Sequence, residues 1–134
     1  MLDRDYKLII DANLLQPYNK WPLVIYQQPY IFGINDRKTS NIILTLNNMV
    51  PGVEVGVRVL TPDKQKKEPI IQVLEAKNST YKVNIDFSAI KDIVGTYKFE
   101  IYLKIDEQQS TIFQSTYTVK EWIDNKDINE KEVK

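Results

Sequence analysis

Apolar and polar residues alternate along several stretches of the chain, in short bursts separated by residues that favour turns. The clearest burst is residues 81–87, in which every second side chain is apolar: Tyr81, Val83, Ile85 and Phe87. A repeat of two is the period of a β-strand with one buried face. The pattern recurs, more or less strongly, in six other runs: 8–12, 42–46, 53–59, 71–73, 97–105 and 113–119. A chain patterned in this way is predicted to be all β.

Each burst buries one face only, so we expect antiparallel sheets that are solvated on one side. Two such sheets bury their apolar faces by packing on each other, about 10 Å apart. Polar segments at 47–52 and 61–69 are predicted to connect strands, and segments 76–79 and 106–110 to close hairpins with loops of four or five residues. The pattern predicts a β-sandwich of seven to eight strands over residues 1–119. The remainder, 120–134, is predicted to be a frayed helix or the start of a linker.

One helical turn is predicted between the strands, over residues 88–93. Ser88 is a suitable N-terminal cap, and Gly95 follows where a left-handed residue often ends such a turn. Ile90 and Ile93 are three residues apart and are expected to share the buried side of the turn.

Residues 92–99, Asp-Ile-Val-Gly-Thr-Tyr-Lys-Phe, open the longest predicted strand. They resemble the Asp-x-Gly-x-Tyr-x-Cys signature at the start of strand F in immunoglobulin domains, with one extra residue between Asp92 and Gly95. Phe99 stands at the cysteine position. The resemblance implies a tyrosine corner, in which the Tyr97 hydroxyl bonds to an upstream backbone group. The predicted fold is therefore an immunoglobulin-like sandwich without a disulfide.

Residues 15–32 break the alternation with three prolines and five aromatic side chains. The prolines exclude a continuous central strand and predict an edge strand or an extended arm. Aromatic rings beside prolines provide rigid contact area and are enriched in interface hot spots. They are equally suited to covering the end of their own domain, and sugar binding is a weaker third use. The candidate partner-binding residues are Tyr18, Trp21, Tyr26, Tyr30 and Phe32.

Composition argues against several classes of function. Eighteen basic residues balance eighteen acidic ones, so no overall charge favours nucleic acid or an anionic membrane surface. Cysteine and histidine are both absent, which removes thiolate nucleophiles and the commonest general base and nitrogen metal ligand. A calcium site from Asp11, Asp36, Asp86 or Asp106 lacks the dense spacing of a dedicated loop. We therefore expect no enzyme, no cofactor and no metal.

The first five residues are charged and lack the apolar core of a signal peptide, and no run reaches transmembrane length. The sequence therefore predicts synthesis in the cytoplasm and no membrane partner.

The chain resembles the N-terminal domain of the baseplate upper protein family of tailed phages and prophages of low-GC Gram-positive bacteria. The resemblance is one of strands and turns, over roughly residues 5–120, and it lies in five segments: 6–13, 35–46, 55–63, 95–102 and 111–119. The sequence departs from the family at two places. Segment 15–32 is longer than the family pattern leads us to expect. In addition, Lys64 follows Pro62-Asp63 at the turn position where the family pattern has a glycine.

This resemblance implies a structural protein located in the virion. It implies attachment of host-recognition parts to the tail core, other tail or baseplate proteins as partners, a homotrimer in the full assembly, and a stalk beginning in residues 120–134. The alternative expectation is a carbohydrate-binding or adhesive sandwich that uses the aromatic arm.

Overall fold

The computed structural model describes residues 6–12, 23–34, 40–49 and 52–121, and its regular elements within these ranges are all strands. The strands are β1 Tyr6–Asp11, β2 Leu23–Tyr26, β3 Tyr30–Gly33, β4 Asn41–Asn47, β5 Glu54–Leu60, β6 Lys66–Lys67, β7 Ile70–Lys77, β8 Thr80–Asp86, β9 Gly95–Ile105 and β10 Gln108–Lys120.

The ten strands form two five-stranded sheets, β2-β1-β4-β8-β7 and β3-β10-β9-β5-β6. Buried side chains from both sheets form one hydrophobic core. Phe87, directly after β8, contacts Phe99 of β9 and Tyr117 of β10; its ring centroid lies 5.6 Å from that of Phe99 and 4.6 Å from that of Tyr117. The inner faces of the sheets therefore pack on each other, and the predicted β-sandwich is confirmed.

The expectation of purely antiparallel sheets is wrong, because each sheet contains one parallel pair. β1 runs parallel to β4, and β3 runs parallel to β10. Neither pair is joined by a hairpin, and the intervening chain is long enough for the crossover that a parallel pair requires.

The strands β4, β8 and β7 are neighbours in one sheet, and β10, β9 and β5 are neighbours in the other. This is the B-E-D and G-F-C distribution of an immunoglobulin domain. The parallel β1–β4 pair does not belong to that plan, so the immunoglobulin-like type stays a prediction.

The predicted alternation holds in the central strands. In β4 the residues Ile42, Leu44 and Leu46 are buried while their neighbours are partly exposed. A bulge in β10 places two successive residues, Ile112 and Phe113, in the core. Long alternating runs therefore predict a central strand, whereas a bulge interrupts the pattern locally.

Turns are shorter than predicted. Asn78 and Ser79 alone join β7 to β8, both with positive φ, and Asp106 and Glu107 alone join β9 to β10. Two-residue turns match the right-handed twist of a hairpin better than the expected four or five residues. Lys64 has a φ of 68°, so it adopts the left-handed conformation that glycine usually supplies.

The predicted helical turn over 88–93 is wrong. The segment consists of turns and bends, in which the Asp86 carboxylate accepts from the Ser88 N–H at 2.9 Å. Ile90 is buried as expected, but Ile93 is 39% exposed. The Ile90 N–H donates to the Phe87 carbonyl at 2.9 Å, which closes a single turn that is not continued into a helix.

Candidate functional site

The five aromatic residues of the predicted arm do not form one surface. Tyr18 and Trp21 lie outside the described residues. Tyr26 is exposed at the edge of the first sheet, whereas Tyr30 and Phe32 are only 3% and 2% exposed. The assignment of Tyr30 and Phe32 to a partner-binding surface is therefore corrected, because core side chains cannot reach a partner.

Tyr30 instead helps to join the two sheets at β1 and β3. Its hydroxyl donates to the Lys7 carbonyl at 3.2 Å, and the Tyr6 hydroxyl donates to the Ile31 carbonyl at 2.7 Å. The two rings meet edge to face, 5.6 Å apart. Burial raises the pKa of Tyr30 to about 12. Residues 30–33 thus cover the core of their own domain. The sequence signal for this is the spacing of Tyr30 and Phe32, because residues two apart in a strand share one face.

The segment before β9 forms the hydrogen bond expected of a tyrosine corner. The Tyr97 hydroxyl donates to the Ile93 carbonyl at 2.7 Å and accepts from the Ile93 N–H at 3.1 Å. Burial raises the pKa of Tyr97, and the charges of Asp92 and Asp63 raise it further. Asp92 is exposed, and the hydrogen bonds of the corner join Tyr97 to Ile93.

Two further side chains complete this end of the domain: Tyr117, which the alternation over 113–119 predicts to be buried, and Lys91, which sequence reasoning missed. Tyr117 stacks on Tyr97 with ring centroids 4.8 Å apart, and its hydroxyl donates to the Ile90 carbonyl at 2.7 Å. The Lys91 ammonium is buried and donates to the Gly33 carbonyl at 2.9 Å. Lys91 stands in a mixed polar segment, and no pattern in the sequence marks it as buried.

Substitution of Gly95 by alanine is expected to lower the free energy of unfolding by about 1–3 kcal/mol. Gly95 has a φ of +150°, a conformation that residues with a side chain rarely adopt, and a Cβ atom there would lie 3.1 Å from Cγ of Pro62. Urea denaturation measures the loss. The neighbouring exposed residue provides the control, and Thr96→Ala should change stability by less than about 0.5 kcal/mol. Equal stabilities of the two variants would show that the corner does not depend on this backbone conformation.

The β7 strand presents the largest group of exposed apolar side chains in the described part of the chain. Ile70, Val73 and Leu74 are 63%, 55% and 48% exposed. β7 lies at the edge of the first sheet and is eight residues long. A bulge between Val73 and Glu75 leaves Leu74 without a partner on β8. Ile70 pairs with Asp86 and Val73 pairs with the buried Val83, so these two side chains project from opposite faces of the sheet. The exposed apolar side chains therefore lie along the edge of β7, where the bulge re-aims Leu74.

A groove of about 750 Å³ crosses the outer face of the second sheet, over β5, β9 and β10. Its volume is within the range of small-molecule sites. Glu100 bridges the strands, because it accepts from the Gln114 amide at 3.3 Å and pairs with Arg58 at 2.8 Å. The groove is also lined by Leu60, Lys66, Lys98 and Thr116.

Three neighbours hold the Arg58 guanidinium in place. Its Nε donates to Glu100 at 2.8 Å, its Nη1 donates to Gln109 at 3.3 Å, and its carbon lies 4.2 Å from the centroid of the Tyr102 ring. The Tyr102 ring lies directly on Gly56, where a Cβ atom would be 2.1 Å from the ring. Gly56 therefore provides the space for the ring against which Arg58 stacks.

Within the described ranges, no three acidic side chains gather as metal ligands would. The Asp11 carboxylate accepts from the Asn48 amide, the Asp86 carboxylate accepts from the Ser88 N–H, and Asp36 lies outside these ranges. No helix among the described residues is long and apolar enough to span a membrane. The sequence matches no protein-family model and no curated protein.

Proposed function

We propose that this domain is a non-catalytic attachment module of a phage or prophage tail or baseplate, which docks on a neighbouring tail protein through β7. The exposed aliphatic side chains along the edge of β7, Ile70, Val73 and Leu74, are the observation that carries the proposal. The resemblance of segments such as 95–102 and 111–119 to the baseplate upper protein family supplies the biological context. In that context the domain anchors host-recognition parts to the tail of the virion, within a trimeric assembly.

The chemistry of β7 favours docking through side chains. The three side chains are already about half buried, so burial of their exposed parts is favourable by roughly 1 kcal/mol each before the costs of association. The bulge at Leu74 interrupts the regular backbone register that an added strand would need. The ion pair between Lys77 and Glu75, 3.5 Å long, lies at the C-terminal end of β7 and suits the polar rim of an interface.

The aromatic arm does not support the carbohydrate-binding alternative to the same degree. Stacking on sugar rings needs exposed aromatic faces, and Tyr30 and Phe32 are buried. Of the described arm residues, Tyr26 is the aromatic one that presents its ring to solvent. We therefore propose protein docking as the function.

Substitution of Leu74 by lysine is expected to abolish binding to the neighbouring tail protein. A charge at the centre of a desolvated apolar interface costs several kcal/mol, which corresponds to a loss of about a hundredfold or more in affinity. The domain is co-expressed with the candidate tail proteins of the phage or prophage that encodes it, and co-elution in size-exclusion chromatography measures complex formation.

Ile25→Lys is the matched control, because Ile25 is 53% exposed at the opposite edge of the same sheet. This variant should co-elute like the wild type. Co-elution of the Leu74→Lys variant, or failure of the wild type to bind any of these tail proteins, would refute the proposed docking.

A further inference from the structure

We infer that the groove on the outer face of the second sheet binds an acidic saccharide, a hydroxyl-rich ligand that carries a carboxylate or phosphate group. The inference goes beyond the proposed docking, because the groove lies on β5, β9 and β10 whereas β7 belongs to the other sheet.

The groove has a net positive charge. Arg58, Lys66 and Lys98 line it together with one carboxylate, Glu100. Glu100 is already paired with Arg58, so its charge is neutralised within the sheet. In the part of the chain that the structure describes, neither Lys66 nor Lys98 forms an ion pair. An anionic ligand would therefore find two available ammonium groups and no unpaired carboxylate among the lining side chains.

The strand register brings these two ammonium groups to one place. Leu60 pairs with Lys66 on one side and with Lys98 on the other. Adjacent strands lie about 4.8 Å apart, so the two lysine backbones are roughly 10 Å apart, and their long side chains can converge on one oxyanion above Leu60. This geometry defines where the acidic group of the ligand would bind.

The remaining lining suits a hydroxyl-rich body. Gln114 and Thr116 lie on β10 beside Glu100 and Lys98, and their amide and hydroxyl groups both donate and accept hydrogen bonds. Leu60 offers an apolar surface to one face of a sugar ring. Arg58 is fixed by its neighbours before binding, so little side-chain entropy is lost when it donates to the ligand.

The test measures amide chemical-shift changes in the ¹⁵N-labelled domain with five probes: a galacturonate trisaccharide, glucose 6-phosphate, maltotriose, inorganic phosphate and triglutamate. We expect one or both acidic sugars to shift amides of β5, β9 and β10, and maltotriose to bind at least about tenfold more weakly because it lacks the charge. Comparison of the two acidic sugars separates a carboxylate from a phosphate source.

Lys98→Gln should weaken binding of the acidic sugar by about fivefold or more, because a charge-assisted hydrogen bond is lost. Lys82→Gln is the matched control, since Lys82 is exposed on the outer face of the first sheet, and it should leave binding unchanged. The inference is overturned if no acidic sugar binds, if phosphate or triglutamate binds as tightly as the sugars, or if the two lysine variants behave alike. Docking through β7 is measured separately, so failure of one proposal leaves the other distinguishable.

Discussion

Substitution of Phe87 by alanine is expected to lower the free energy of unfolding by about 3–5 kcal/mol. Phe87 is fully buried where the two sheets meet, and its ring contacts three others, those of Phe32, Phe99 and Tyr117, with centroids 4.6–5.8 Å away. Removal of the ring leaves a cavity that the surrounding aromatic side chains cannot fill completely. Because small domains are stable by only about 5–15 kcal/mol, this loss is a large part of the total.

Urea denaturation followed by tryptophan fluorescence and circular dichroism measures the effect of the Phe87 substitution. Ile25→Ala serves as the control, because Ile25 is 53% exposed on β2, and its removal should cost less than about 0.5 kcal/mol. A loss below about 1 kcal/mol for Phe87→Ala would mean that the aromatic cluster between the sheets is not the core of the domain.

The domain is expected to lose stability steeply above pH 10. Burial raises the pKa of Tyr30 to about 12 and raises that of Tyr117 even further. Above the ordinary tyrosine pKa of about 10, the unfolded chain releases these protons while the folded domain retains them. The stabilising contribution is therefore complete below pH 10, and it is lost as the pH rises from 10 towards the pKa values of the folded state.

Each proton that the folded domain retains and the unfolded chain releases lowers the free energy of unfolding by about 1.4 kcal/mol per pH unit. For Tyr30 and Tyr117 together, the free energy of unfolding should therefore fall by about 3 kcal/mol per pH unit between pH 10 and 12. Chemical denaturation at a series of pH values measures this slope. Tyr117→Phe should remove about half of it. If all eight tyrosines ionise together near pH 10 in an ultraviolet titration, the raised pKa values of Tyr30 and Tyr117 are contradicted.

The alternating stretches predicted the sandwich well, because burial of one strand face leaves a direct trace in the sequence. Ile42, Leu44 and Leu46 of β4 show this most simply. Strand direction leaves no such trace, so the parallel pairing of β1 with β4 could not be predicted. Short elements such as β6, Lys66–Lys67, are formed by pairing with β5, and residue preference gives no indication of them.

The candidate sites were harder to predict than the fold. Aromatic content pointed to Tyr30 and Phe32 as contact residues, but their spacing placed both on the inner face of β3. The alternation over 71–73 predicts a strand, but it does not indicate that Val73 is exposed, because that exposure depends on the position of β7 at the sheet edge. The groove on the outer face of the second sheet is formed by residues from three strands, and strand register, which the sequence does not indicate, sets their alignment.

Electron cryomicroscopy of the phage or prophage particles produced by a strain that encodes this protein tests the proposed attachment most directly. We expect density for the domain on the tail or baseplate, with Ile70, Val73 and Leu74 of β7 buried against a neighbouring protein. A particle in which β7 faces solvent while the domain is held by another surface would contradict the proposal, as would particles that lack the domain altogether.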